Sequence, residues 1–415
     1  LAGSTTVVNM VIDANSRISL SNNDSGTSNT IFGKNAGDSD GAADLNVFIG
    51  ELAGGTGTQT DDADSNVGIG YRALTDLTEG TNNVAIGKDS ATNLLGGDMN
   101  VAIGVDTLYT STAAINSIAI GKNAMYGGTA SSSTGSIAIG HDSLRNVSSG
   151  QYNIAIGYQS LNANQTGGGC TAVGYNSLLL STDNDNTAMG RESLSSNTSG
   201  ASNTGLGIHA GFGNATGSGN VYVGSSAGKG VANNNNSNNV GIGMDAMVAV
   251  TTGSENVAIG KTSMQDANTA SGVVAVGTES AYNITSGGES VAIGKQALYT
   301  ATTVGSNTAV GYQALKLNAV ASNTAVGHSA GLNTTGTLNT YVGASAGLGA
   351  SGAEASNVGV GANALAAIVG GSSNTALGKD SSAAMTDGHN NVAIGNNSLE
   401  ASTSVGYAVV IGNDA

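Results

Sequence analysis

The sequence predicts an all-β protein, a parallel β-solenoid of about 23 coils with a repeat of about 17 residues, and three observations carry that prediction. A phrase of the form Asn-Val-Ala-Ile-Gly recurs twenty-three times, closing on glycines from Gly33 and Gly50 through to Gly395 and Gly412. Fifteen of the twenty-two intervals between those glycines are 17 residues, and the others run from 16 to 20. The composition suits a laddered backbone better than a compact enzyme, with 65 glycines, no proline, no tryptophan and 10% charged residues. Length alone would suggest several globular domains, but an unbroken short period means coils that stack and touch only their neighbours. Missing prolines fit the same picture, because proline cannot donate to a ladder.

In chain order, residues 1–28 read as a lead-in, with two strands at 7–12 and 17–20 capping the first coil. A cap is expected because an open β edge invites aggregation. Residues 29–415 read as the repeat domain, about 110 Å long if coils stack at ~4.8 Å. The chain opens at Leu1 without Met or a basic leader, which reads as a piece of something longer. Residues 409–415 stop within a coil, so a further segment is expected to continue from there.

Within a repeat, the residue before the anchor glycine is Ile, Val, Leu, Met or Phe, and the third before it is Val, Ile or Thr. Val84 and Ile86 before Gly87, Ile103 before Gly104, Ile259 before Gly260 and Ile394 before Gly395 are examples. Between the two lies Ala or Gly in eighteen copies. Apolar residues at alternate positions with β-branched enrichment describe a strand. The larger Val and Ile side chains are expected to fill the narrow interior. That leaves an outer strip of Ala and Gly smooth enough to pack against identical chains; the alternative is a cramped interior that takes the small residues and reverses the facing. A second short strand is expected after the glycine, as at Ala73-Leu74, Ser143-Leu144 and Ala297-Leu298, with its Leu in the core. Polar turns close each coil, the longest near 55–64, 127–135 and 229–238.

Asn stands four before the anchor in seventeen copies, among them Asn83, Asn100, Asn256 and Asn391. Amides in register at the coil spacing can form a ladder, and Asn also tolerates a bend entering a strand. One covariation stands out. Where the Ala position carries a large residue (Ile31, Phe48, Tyr222, Tyr341), the later Leu position is glycine (Gly37, Gly54, Gly228, Gly347). These coils are expected to form a second type, in which the bulky side chain fills the room left by the missing Leu. Gly211 and Gly331 show the same glycine without a large partner in their own coil.

The chemistry of the remaining residues excludes several functions. A net charge of −16 with only twelve Lys and Arg argues against nucleic acid. No apolar run approaches the roughly 20 residues of a membrane span. Acid concentrates in residues 1–110, with fourteen Asp or Glu against four basic residues, and a solvated surface is the expected reading. Cys170 is alone, at an Asn position, so neither a disulfide nor a cysteine metal cluster is expected within a chain. His141, His209, His328 and His389 fall on distant coils, which argues against a nucleophile and base pair. Asp61, Asp62 and Asp64 share one loop, with no Trp to stack a sugar. The runs Asp38-Ser-Asp40-Gly41 and Asp183-Asn-Asp185-Asn186 fall short of a calcium loop. Gly260-Lys261-Thr262 is an anchor with its neighbours rather than a phosphate loop. No enzyme activity, cofactor or metal is expected.

The repeats resemble two known groups. Asn83-Val-Ala-Ile-Gly87 and Ser290-Val-Ala-Ile-Gly294 are similar to the head repeats of YadA-type trimeric autotransporter adhesins, where the repeat is shorter. Asn307-Thr-Ala-Val-Gly-Tyr-Gln-Ala-Leu315, and the lead-in from Ser16 to Asp24 running into Asn29-Thr-Ile-Phe-Gly33, resemble bacteriophage tail-fibre and tailspike-type proteins. The resemblance covers nearly the whole chain. It implies a homotrimer of solenoids, left-handed in the adhesins, acting as a virion tail fibre or other extracellular element. Its partners would be identical chains, further fibre segments at the ends and a host-surface receptor. A bacterial trimeric adhesin or extracellular filament is the alternative. An ice-binding solenoid and a glycan-cleaving tailspike are weaker ones. The eight Thr share a face with Val and Ile, which, on the expected facing, argues against their outward display to ice.

Overall fold

The computed structural model describes residues 28–415 apart from 39–41, 128–132, 232–233, 350 and 353. The expected cap strands at 7–12 and 17–20, and most of the Asp38–Gly41 run, lie outside the described residues. The architecture is an all-β parallel solenoid. Its regular elements are twenty-three strands of three residues each, from β1 (Thr30–Phe32) to β23 (Val409–Ile411). Two compact units divide the chain. The first holds β1 to β7 (Ile137–Ile139), and the second holds residues 143–145 and β8 (Ile154–Ile156) to β23. Within each unit every strand pairs in parallel with the next in sequence and without offset. Val84 faces Val101, Ala85 faces Ala102 and Ile86 faces Ile103. Sixteen strands in the second unit stack over about 70 Å at ~4.8 Å apiece.

The facing of the strand is the reverse of the expectation. Ala85, Ala102, Ala258, Ala275 and Ala393 are buried, whereas Val84 and Ile394 are only half-buried and Ile86 and Ile259 are 36% and 37% exposed. The reason is room. Opposite the strand centre stands the wall formed by the third and fourth residues after the anchor, and it is close. A Cβ built on Gly205 would lie 2.5 Å from Ser193 Oγ and 3.0 Å from Leu194 Cγ. The Ser193 hydroxyl donates to the Gly205 carbonyl at 2.8 Å, and Ser90 donates to Ala102 at 2.9 Å. A gap of that size holds a methyl group. Val or Ile there would overpack the coil, so the period-2 pattern turns its large residues outward.

The expected second strand is not formed. Residues after the anchor are turns, with positive φ at the second and fourth places, as at Arg72 (54°) and Leu74 (54°). Left-handed conformations alternating with ordinary ones curl the chain while keeping its amides aimed along the stack. Arg72 N–H donates back to Glu51 and Leu74 N–H forward to Ser90, at 3.0 and 3.1 Å. A leucine at positive φ costs roughly 1–2 kcal/mol, and the repeated inter-coil bonds offset it. The Leu side chain does enter the core, as expected. Leu74, Leu108, Leu144, Leu298 and Leu315 are fully buried.

The anchor glycines close the account of the backbone. Gly87, Gly104, Gly260 and Gly395 have φ of 137°, 139°, 135° and 132°. A Cβ on Gly260 would sit 2.5 Å from the Gly277 carbonyl oxygen of the next coil. Both conformation and spacing therefore demand glycine.

Candidate interaction surface

The outward ranks of the strands form the surface. In each unit, the first and third strand residues build two apolar columns, every side chain flanked above and below by its counterpart. No element of the described chain covers them. The expected core residues Val84, Ile86, Ile103, Ile259 and Ile394 all belong to these columns and not to the interior. The expected packing strip of Ala and Gly is correspondingly internal and is not available to another chain. Threonines interrupt the first of these columns, singly at Thr30 and Thr375 and in two runs, Thr171, Thr187 and Thr204, then Thr308, Thr324 and Thr340. The objection to outward Thr therefore falls, since theirs is the outward face.

Beside this face runs a column from the residue just after each anchor. Tyr158 stacks on Tyr175 with centroids 5.3 Å apart, and Tyr312 on His328 at 5.0 Å. Such stacking follows from identical positions at the coil spacing. The next column carries the polar pairs. Arg72 donates to Asp89 at 2.6 Å and Lys88 contacts the other carboxylate oxygen at 2.5 Å. Burial alone would raise the Asp89 carboxyl, but hydrogen bonds from Arg72 and Lys88 outweigh it and hold the group below its ordinary value.

Inside, the Asn column is a ladder. Asn100 accepts, through Oδ1, the backbone N–H of Ser117 at 3.0 Å, while its own Nδ2 donates to Asn83 Oδ1 at 2.9 Å and to the Ala114 carbonyl at 2.6 Å. Asn256 and Asn391 repeat the arrangement with Asn239 and Asn374. The bend lies one residue earlier, at positive-φ positions such as Asn82 and Glu255. Cys170 occupies this column, its N–H on Asn153 Oδ1 at 2.9 Å and its thiol on the Asp183 carbonyl at 3.1 Å. Burial pushes that thiol up to about 11, so it is a poor nucleophile.

Three coils hold large rings where others hold alanine. Phe48, Tyr222 and Tyr341 are fully buried. A Cβ on Gly54 would meet the Phe48 ring at 2.7 Å and one on Gly347 the Tyr341 ring at 2.5 Å; on Gly228 it would overlap Tyr222. Gly211 and Gly331 find their explanation here. They belong to the preceding coils, where a Cβ would lie 3.0 and 3.1 Å from the Tyr222 and Tyr341 rings. Sequence reasoning missed the other half of each pocket. The strand centre of the following coil is Gly68, Gly241 or Gly359, at 3.0, 3.0 and 3.3 Å from the ring. It missed the hydroxyl partners too. The place seven before the anchor, mostly Gly or Ala, holds Asn236 after Tyr222, Glu354 after Tyr341 and Ala63 after Phe48, which has no hydroxyl. Tyr222 Oη donates to Asn236 Oδ1.

The candidate acids and histidines stay dispersed. Asp64 caps the Asp44 N–H at 2.6 Å, Asp183 bonds the Asn184 N–H at 2.8 Å, and His209 meets Glu192 at 2.8 Å. Among the described residues no group of three His, Cys, Asp or Glu is arranged to hold a metal ion. Among the described residues no helix is long and apolar enough to cross a membrane. No protein-family model matches the chain, and no curated protein matches its sequence.

Proposed function

We propose that the chain is a non-enzymatic structural element of a trimeric fibre, of the phage tail-fibre kind, supporting attachment to a host cell surface. One observation carries this reading: two apolar columns stand uncovered, in register, along the whole outward face of each unit. Partly exposed Ile, Val, Leu and Met in ranks, one column apolar throughout and the other interrupted by Thr, favour a partner surface of the same repeat, because identical coils match at identical spacing. Each chain would set this face against those of two others, with further fibre segments at the ends and the turns left outward for a receptor. A bacterial adhesin or filament would use the same face in the same way. Sedimentation equilibrium tests the reading. The expected mass is three chains of 40.2 kDa, and a single-chain mass would overturn it.

The outward threonines give the ice-binding alternative a specific observation. Their runs are only three coils long, and the neighbouring column steps through Val173, Met189 and Leu206, side chains of unequal length. A flat crystal plane fits such a surface poorly. Thermal hysteresis in the purified protein would favour ice binding over the fibre.

A further inference from the structure

The Tyr222 and Tyr341 pockets share one construction and differ in the residue seven before the next anchor, Asn236 in one and Glu354 in the other. At Tyr222 the neighbour is an amide, and its bonds close. Asn236 accepts the phenol, and its Nδ2 donates to Asn234 Oδ1 at 2.8 Å. At Tyr341 the equivalent residue is Glu354, fully buried. Its Oε1 accepts the backbone N–H groups of Thr335 and Gly336 at 3.3 and 3.1 Å. Its Oε2 has no partner, and neither has the Tyr341 hydroxyl nor the Thr334 hydroxyl, all three buried. These groups share one interior. A Cβ on Gly331 would touch Thr334 Oγ1 at 2.8 Å and the Tyr341 ring at 3.1 Å, and the Glu354 charge acts on the Tyr341 hydroxyl. The Asn357 amide lies beside that hydroxyl without meeting hydrogen-bond geometry.

We propose that this pocket is a proton-binding site, in which Glu354 is held as the neutral acid, so that rising pH loosens the surrounding coils. In the sister pocket the equivalent side chain is an uncharged amide whose oxygen accepts the phenol, and the neutral carboxyl is its counterpart of the same charge. An ionised carboxylate would leave a buried charge with no counter-ion. The only titratable group facing it in the described structure is Tyr341, and the rest is backbone from Thr335, Gly336, Gly352 and Glu354 itself. Burial raises the carboxyl above its ordinary range, and the backbone N–H bonds lower it less.

The sign follows from linkage. A carboxyl raised in the folded state contributes stability below its unfolded value, and that contribution is lost as pH climbs toward the folded value. Hydrogen exchange on the full chain, read by mass spectrometry between about pH 5 and 8 and corrected for intrinsic rates, tests this. In the wild type, the opening equilibrium of peptides within 334–360 should rise by up to about tenfold per pH unit. In Glu354→Gln, whose amide mimics the neutral acid, it should stay flat. Equal slopes, or wild-type protection that grows with pH, would overturn the proposal. So would protection of the wild type, but not of the variant, by added sodium or potassium, which would make the ligand a cation. Infrared spectroscopy gives a readout independent of how the variant folds. A protonated-carboxyl band is expected in the wild type at neutral pH, and its absence would equally overturn the assignment.

Discussion

The centre of each strand and its two flanks differ by one residue in sequence and by everything in environment. Ala258 is fully buried, while Ile259 stands 37% exposed. In most globular proteins the larger apolar residue of such a pair would be inside. Here the interior is set by a backbone curled through left-handed turns, and it admits little more than a methyl group. The bulk therefore goes outward, where a second chain can use it.

Breaking the inner rank should cost most. Ala258→Ile forces a branched side chain against the wall of the preceding coil, which on the pattern at Gly205 is the buried Ala246 and Met247, and a loss of about 3 kcal/mol or more is expected in denaturant unfolding. Next comes the column beside it. Asn256→Ala strands the Val273 N–H and the Ala270 carbonyl, both buried, for an expected loss of about 2–3 kcal/mol by the same measurement. The outer rank should behave differently. Ile259→Ala should cost about 1 kcal/mol within a chain, because more than a third of its surface is already exposed, yet Ile259→Asp should abolish the proposed trimer and leave a single-chain mass in sedimentation. The smallest effect belongs to the surface pair. Arg72→Ala should cost about 1 kcal/mol, since Arg72 is a third exposed and Lys88 stays on the buried Asp89 carboxylate. Asp89 is depressed in the fold, so this contribution is present above its unfolded value and lost as pH falls toward the folded one. A difference between variant and wild-type melting temperature that shrinks in acid would show it.

Much of this was legible in the sequence because it is periodic. The 17-residue spacing gives the strands, the Asn position gives the ladder, and the pairing of Tyr222 with Gly228 and Tyr341 with Gly347 gives the ring pockets. Alternation in Val84-Ala85-Ile86 says that two faces differ, but not which is inside. That depends on the depth of the coil, and the depth depends on Arg72 and Leu74 adopting positive φ, a conformation that arginine and leucine do not advertise. The second strand expected at Ala73-Leu74 is instead a left-handed turn, and the interior it leaves is too narrow for the Val and Ile expected to fill it. Asn236 and Glu354 were visible as departures from Gly or Ala, and their meaning emerged only once Tyr222 and Tyr341 were known to point inward.

Cysteine reactivity tests the inversion most directly, because Cys170 is buried with a raised thiol and gives little background. Free thiol would be counted by mass spectrometry after mild oxidation and alkylation of Ala258→Cys and Ile259→Cys. The outward position should lose its thiol, to the alkylating agent or to a disulfide between copies, while the inward one keeps it until the chain unfolds. Consumption of the thiol at 258 before that at 259 would contradict the account.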